Sequence, residues 1–142
     1  MKVKIKKLHE DAVIPCYAKH GDAGMDLTAV SKHYDEHGNL CYGTGLAFEI
    51  PQGYVGLIFP RSSIYKKRLV LSNSVGVIDS GYRGEVSFKF KAESGLAINE
   101  GYKVGERVGQ IIIIPYPDIE FVEVSELSES ERGENGYGST GA

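Results

Sequence analysis

With 142 residues, 42% of them hydrophobic and 25% charged, the chain has the size and balance of one globular domain built on a single core. A formal net charge of −3 offers no basic face for duplex nucleic acid or an anionic membrane. The longest aliphatic run, residues 111–114, is far too short to span a bilayer, so neither nucleic acid nor membrane is expected as a partner.

Eighteen glycines, nine tyrosines and no tryptophan favour short strands joined by tight turns. The first seven residues are basic but run into no apolar stretch of the kind a secretory signal carries. Cys16 and Cys41 read as reduced thiols, and a cytoplasmic protein is expected.

Residues 2–6 alternate lysine with β-branched side chains, the pattern of a half-buried first strand. Ala23-Gly24-Met25-Asp26-Leu27 then reads as a turn leading into a strand, with a carboxylate near its start. Residues 44–49 and 54–59 form two further strands around Pro51-Gln52-Gly53, which is turn chemistry. Pro60-Arg61-Ser62-Ser63 opens a short helix over residues 62–68, with Ser62 as its N-cap and three basic residues at its end. An arginine, two hydroxyls and helix-start N–H groups make an anion site; an ordinary cap with an ion-paired arginine would use the same residues.

The segment Gly76-Val77-Ile78-Asp79-Ser80-Gly81-Tyr82-Arg83-Gly84-Glu85 carries the most information. Val77 and Ile78 read as a buried strand pair that delivers Asp79 into a turn, where Gly81 and Gly84 flank an aromatic, Tyr82. A carboxylate beside an exposed ring can position a ligand and activate a water; a hairpin whose aspartate only begins an Asx-turn shares that sequence. Residues 86–91 alternate cleanly as another strand. Gly105-Glu106-Arg107-Val108-Gly109-Gln110 follows, with Glu106 and Arg107 as a local ion pair and Gln110 as an amide donor. The isoleucines at 111–114 read as a strand buried on both faces or lining a subunit contact, and residues 121–124 as a looser final strand.

Residues 1–124 are therefore expected to form an all-β domain, a jelly-roll-like sandwich or barrel with one short helix. Residues 125–142 differ in kind. Four glutamates against Arg132 alone carry the charge of −3, and only Leu127 and Tyr137 could anchor to a core. A mobile, glycine-rich arm is expected, because so little apolar surface cannot offset the entropy of ordering it. Its Arg132, its spaced glycines, Ser139 and Thr140 suit phosphate oxygens, although a solubilising tail has similar composition. His9, His20, His33 and His37 are scattered and read as surface residues, and no His/Cys/Asp cluster builds a zinc cage. Phosphate donors without metal ligands fit a nucleoside triphosphate that brings its own Mg²⁺.

These five segments, in this order, resemble the five motifs of the homotrimeric dUTPases, over residues 23–141. The resemblance implies a dUTPase-like β-clip that hydrolyses dUTP to dUMP and pyrophosphate, keeping uracil out of DNA and supplying dUMP for dTMP synthesis. It implies that Asp79 deprotonates the water attacking the α-phosphorus, and that Tyr82 packs under the deoxyribose. Asn73 and the backbone of Val77, Ile78 and Asp79 would read the uracil edge. Arg61, Ser62, Ser63 and Gln110 would hold the phosphates, usually from a neighbouring subunit, with Asp26 in the same site near the Mg²⁺ water shell. Arg132, Tyr137, Gly138, Ser139 and Thr140 would close over the substrate, Tyr137 standing where phenylalanine is usual. Gly109 stands where alanine is common, at a cost in strand rigidity. A dCTP deaminase shares the fold, but the position of its acid–base glutamate falls on Lys89 here. A non-catalytic, nucleotide-dependent binding module is the other alternative.

Overall fold

The computed structural model describes residues 1–93, 100–138 and 141. Among these residues the chain forms ten strands in three antiparallel sheets and one 3-10 helix. β1 (Lys4–Lys7) and β5 (Leu46–Glu49) make a two-stranded ribbon. β2 (Met25–Thr28), β6 (Tyr54–Phe59), β8 (Gly76–Ile78) and β10 (Arg107–Pro115) form a sheet in the order β2-β10-β6-β8. β3 (Ser31–Tyr34), β4 (Leu40–Gly43), β7 (Leu69–Leu71) and β9 (Ser87–Ala92) form the other, in the order β3-β4-β9-β7. The expected sandwich is present, and its sheets remain open rather than closing into a barrel.

The periodicity of two in β9 decides how the four-stranded sheets meet. Phe88 and Phe90 are buried while Ser87, Lys89 and Lys91 face out. The two rings stack at 6.1 Å, and Phe90 meets Tyr42 edge-on at 5.8 Å. Tyr42 is fully buried, so its hydroxyl needs partners: it donates to the Tyr102 carbonyl and accepts from the Tyr102 N–H, both at 2.8 Å. Burial pushes the Tyr42 phenol up to about 12. Opposite these rings lie Leu27, Ile58, Ile78 and Ile111 of the β2-β10-β6-β8 sheet. Gly109 lies directly beneath Phe88, and a Cβ there would run into the ring. Its glycine is thus a packing requirement between the sheets, rather than only a loss of rigidity.

The turn between β5 and β6 forms as its sequence predicts. The Tyr54 N–H donates to the Pro51 carbonyl at 3.1 Å, and Gly53 takes a φ of 83°, a conformation that favours glycine. Three expectations change. The helix is a 3-10 segment over Ser62–Lys67, and Arg61, not Ser62, holds the N-cap position without a side-chain cap bond. Ser62 already lies inside the first turn, and the Arg61 side chain is drawn to a carboxylate elsewhere. Residues 121–124 form no strand, because no neighbouring strand pairs with them; Phe121 is 93% exposed. Of the four isoleucines, Ile111 is fully buried while Ile114 is 39% exposed, so this chain by itself does not cover both faces of β10.

Candidate active site

Two groups of candidate residues form at opposite ends of β6. The first is the hairpin that leaves β7, crosses between the four-stranded sheets as β8, and ends in the Asp79 turn. Gly76 pairs with Ile58 across the β6–β8 ladder, where a side chain would collide with Ile58. In the preceding loop Ser74 adopts a left-handed φ of 62°, and the Val75 N–H donates to the Asn73 carbonyl at 2.6 Å. That loop is held from below: Ser72 Oγ donates to Asn39 Oδ1 at 2.9 Å, and Asn39 in turn donates to Asp35. Asn73, Val77, Ile78, Asp79 and Tyr82 then line one cavity of about 250 Å³, joined by Ile58, Glu85 and Ser87. Val77 is 62% exposed, contrary to its apolar reading. In a three-residue strand only alternate side chains can face the core, and Gly76 and Ile78 take those places.

The Tyr82 N–H donates to the Asp79 carbonyl at 3.1 Å, closing a four-residue turn. The Tyr82 hydroxyl donates to the Glu85 carbonyl at 3.0 Å, its ring lying over Gly84 where any Cβ would collide with it. Asp79 is exposed and also lines a second cavity with Tyr54, Val55, Ser80 and Tyr116. It accepts no side-chain hydrogen bond among the described residues, which leaves both carboxylate oxygens open to a water.

The second group is built by charge. Arg61 Nε donates to Asp26 Oδ1 and Arg107 Nη1 donates to Asp26 Oδ2, each at 3.1 Å. A bulge between Arg107 and Gly109 shifts the β10–β2 register, so that Arg107 opposes Thr28 while Gln110 opposes Asp26. Positions 107 and 110 thereby share one face of the sheet, which a spacing of three does not otherwise allow. The expected Glu106–Arg107 pair does not form. Glu106 instead meets Lys67 at 3.3 Å and accepts from the Lys103 N–H; that backbone bond and then Lys67 hold its carboxyl below the usual range. Gln110 Nε2 donates to the Pro60 carbonyl at 3.1 Å, and its Oε1 lies against Gly24, which has no room for a Cβ. Gln110 therefore fixes the chain just ahead of Arg61, Ser62 and Ser63. Sequence reasoning missed Arg107, Glu85 and Ser87; only the bulge and the return of β9 toward the hairpin bring them in.

The two groups are separated within one chain. Gly56 opposes Ile78, so Asp79 falls beside Val55. Arg61 lies six residues beyond Val55 past the other end of β6, roughly 20 Å of extended chain. Among the described residues Arg132, Tyr137 and Gly138 make no hydrogen bond or ion pair with either group: Tyr137 is fully exposed, and Arg132 donates to the Asn135 carbonyl at 3.0 Å. Ser139 and Thr140 lie outside the described residues. No set of three or more His, Cys, Asp or Glu side chains that could hold a metal occurs among the described residues.

The chain thus combines an all-β domain, a carboxylate-bearing turn against a small cavity, and a separate guanidinium cluster. A family model described as dUTPase matches residues 10–141, and the chain belongs to the dUTPase family. It is 43% identical over 145 residues to a deoxyuridine 5'-triphosphate nucleotidohydrolase of Nautilia profundicola, and 40% identical over 152 residues to that of a Hydrogenobaculum species. Each alignment covers 99% of both chains. A solved structure of Staphylococcus bacteriophage 80alpha dUTPase with dUPNHPP superposes with a TM-score of 0.82 at 30% identity, again over 99% of both chains.

Proposed function

We propose that the protein hydrolyses dUTP to dUMP and pyrophosphate, with Asp79 as the general base for in-line attack of water on the α-phosphorus. The observation that carries this reading is the open Asp79 carboxylate beside the cavity of Asn73, Val77, Ile78 and Tyr82. That cavity has room for a pyrimidine ring and a sugar. Asn73 and the β8 backbone supply the hydrogen-bond groups for a uracil edge, and Tyr82 a flat wall for the deoxyribose. Phosphoanhydride hydrolysis needs a positioned water and charge to match the phosphate oxygens. Asp79 serves the first need. Arg61, whose terminal nitrogens make no hydrogen bond among the described residues, serves the second with Ser62, Ser63 and Gln110. We assign Mg²⁺ to the substrate phosphates, where it would neutralise charge in the transition state. The Asp26 carboxylate suits its water shell, because each oxygen keeps a lone pair beyond its arginine bond.

Asp79 and Arg61 lie past opposite ends of β6, and the resemblance to the homotrimeric dUTPases implies sites shared between subunits. We therefore assign the complete site to a homotrimer, with Asp79 from one subunit facing Arg61 of another. The exposed Ile114, Phe121 and Val122 supply apolar surface for such contacts. Arg132, Tyr137, Gly138, Ser139 and Thr140 are assigned to an arm over the bound substrate, in a cytoplasmic enzyme whose Cys16 and Cys41 are both free thiols. The deaminase reading loses ground to Lys89, which faces Asp35 at 3.4 Å and does not line the cavity. Pyrophosphate release with Mg²⁺ from dUTP, dCTP, dTTP and UTP tests the proposal. Turnover of dUTP alone is expected; ammonia from dCTP, or no turnover of any of the four, would overturn it.

A further inference from the structure

The Asp79 turn has a support that the reaction chemistry does not use. Its residues are largely exposed; β8 anchors one end, and the Val86 N–H bond to the Leu46 carbonyl at 2.9 Å and the start of β9 at Ser87 anchor the other. On its outer side, Nη1 of Arg83 donates to the Ser80 carbonyl at 2.6 Å and to the Tyr82 carbonyl at 3.0 Å. These two carbonyls flank the Gly81–Tyr82 peptide in the turn that joins the general base to the sugar-facing ring. Nη2 of the same guanidinium lies 3.9 Å from Glu49 Oε1, at the end of β5. Glu49 is paired in register with Lys4 of β1 and meets its ammonium at 3.0 Å. The Lys4 bond, with a smaller contribution from Arg83, holds the Glu49 carboxyl below its usual range, so it stays charged near neutral pH.

We propose that Arg83 is a positioning residue: its guanidinium clamps the Ser80 and Tyr82 carbonyls and ties the Asp79 turn to the β1–β5 ribbon through Glu49. An arginine suits this task because its planar fork presents several donors in fixed directions, whereas a lysine ammonium offers a point charge. Without the clamp the exposed peptide units are free to reorient, and the Asp79 carboxylate moves with them. The base, the uracil and the phosphates bind through other groups, so affinity stays while the attack geometry is lost. Misplacement of a reacting group by about 1 Å costs on the order of 100-fold in rate.

This inference rests on Asp79 acting as the base in dUTP hydrolysis. Its test is steady-state and single-turnover hydrolysis of dUTP by wild type, Arg83→Ala, Arg83→Lys and Glu49→Gln, with binding of a non-hydrolysable dUTP analogue to each. Arg83→Ala is expected to lower kcat and the single-turnover rate by roughly 10- to 100-fold, with KM and analogue affinity changed less than about threefold. Arg83→Lys retains an intermediate rate, Glu49→Gln loses a few-fold, and added guanidinium ion restores part of the Arg83→Ala rate. A kcat for Arg83→Ala within about twofold of wild type, or a loss carried in KM and analogue affinity, overturns the clamp. If Arg83→Ala fails to fold, the Arg83→Lys and Glu49→Gln rates decide alone: both at wild-type values sink the proposal. Wild type without dUTP turnover would instead remove the function on which the inference stands.

Discussion

The two halves of the site are held in different ways. At one end of β6, Asp79 and Tyr82 are placed by backbone devices: a three-residue strand, a closed turn, a left-handed Ser74, and glycines at 76 and 84 where side chains would collide. At the other end, Arg61 and Arg107 are placed by charge, converging on Asp26, with a bulge to align them. The difference matches the tasks. A general base must sit in a fixed place with its oxygens open, whereas phosphate-binding arginines need orientation but tolerate some play. Altering Asp79 or its support should therefore cost catalytic rate, whereas altering the charged half should cost binding.

The largest expected effect is on the hairpin side. Asp79→Asn keeps the shape and removes the base, so kcat should fall by about 10²- to 10⁴-fold with the fold unchanged, as pyrophosphate release will report. Arg61→Ala should weaken kcat/KM about 10- to 100-fold, the worth of one or two charged hydrogen bonds, with analogue affinity falling in step. If Arg61→Ala lowers kcat alone, the division of labour is wrong. Removing residues 132–142 should leave the melting temperature unchanged while taking away most turnover, as loss of a closing segment does. Full activity of that truncation would refute the arm.

The smallest effect concerns a charged support beneath the hairpin loop. Asp35 accepts from the Asn39 side chain and backbone, from the His37 N–H and from Lys89, and these bonds hold its carboxyl far below the usual carboxylate range. Its folded pKa lies below its unfolded one. The stability it contributes is therefore complete above about pH 4 and is lost as the pH falls further. Asp35→Asn should flatten the acid limb of stability, read as urea midpoints against pH, and leave neutral-pH turnover almost unchanged.

Local signals made much of this legible in the sequence. The alternation around Phe88 and Phe90 gave β9 and its buried face, and Pro51-Gln52-Gly53 gave the first hairpin turn. Asp79, Tyr82 and Asn73 were recognisable from turn chemistry and motif order, and the structure gathers them around one cavity. Contacts that depend on register were not legible. Arg107 reaches Asp26 only through a bulge, Glu106 finds Lys67 across 39 residues of chain, and Val77 faces outward because it alternates with Gly76 and Ile78, which take the inner face of β8. Residues 121–124 have a strand-like composition, yet an apolar segment becomes a strand only where another strand offers its edge.

The central claim is that one catalytic site draws Asp79 and Arg61 from different copies of the chain. Asp79→Asn and Arg61→Ala proteins, each strongly impaired alone at dUTP concentrations well below KM, should be mixed, unfolded together and refolded, and dUTP turnover measured at that concentration. Shared sites predict that activity returns, to roughly a quarter of the wild-type rate for random mixing, because some interfaces then pair an intact Asp79 with an intact Arg61. A mixture no more active than its two components would place both residues in the site of a single chain and contradict the account.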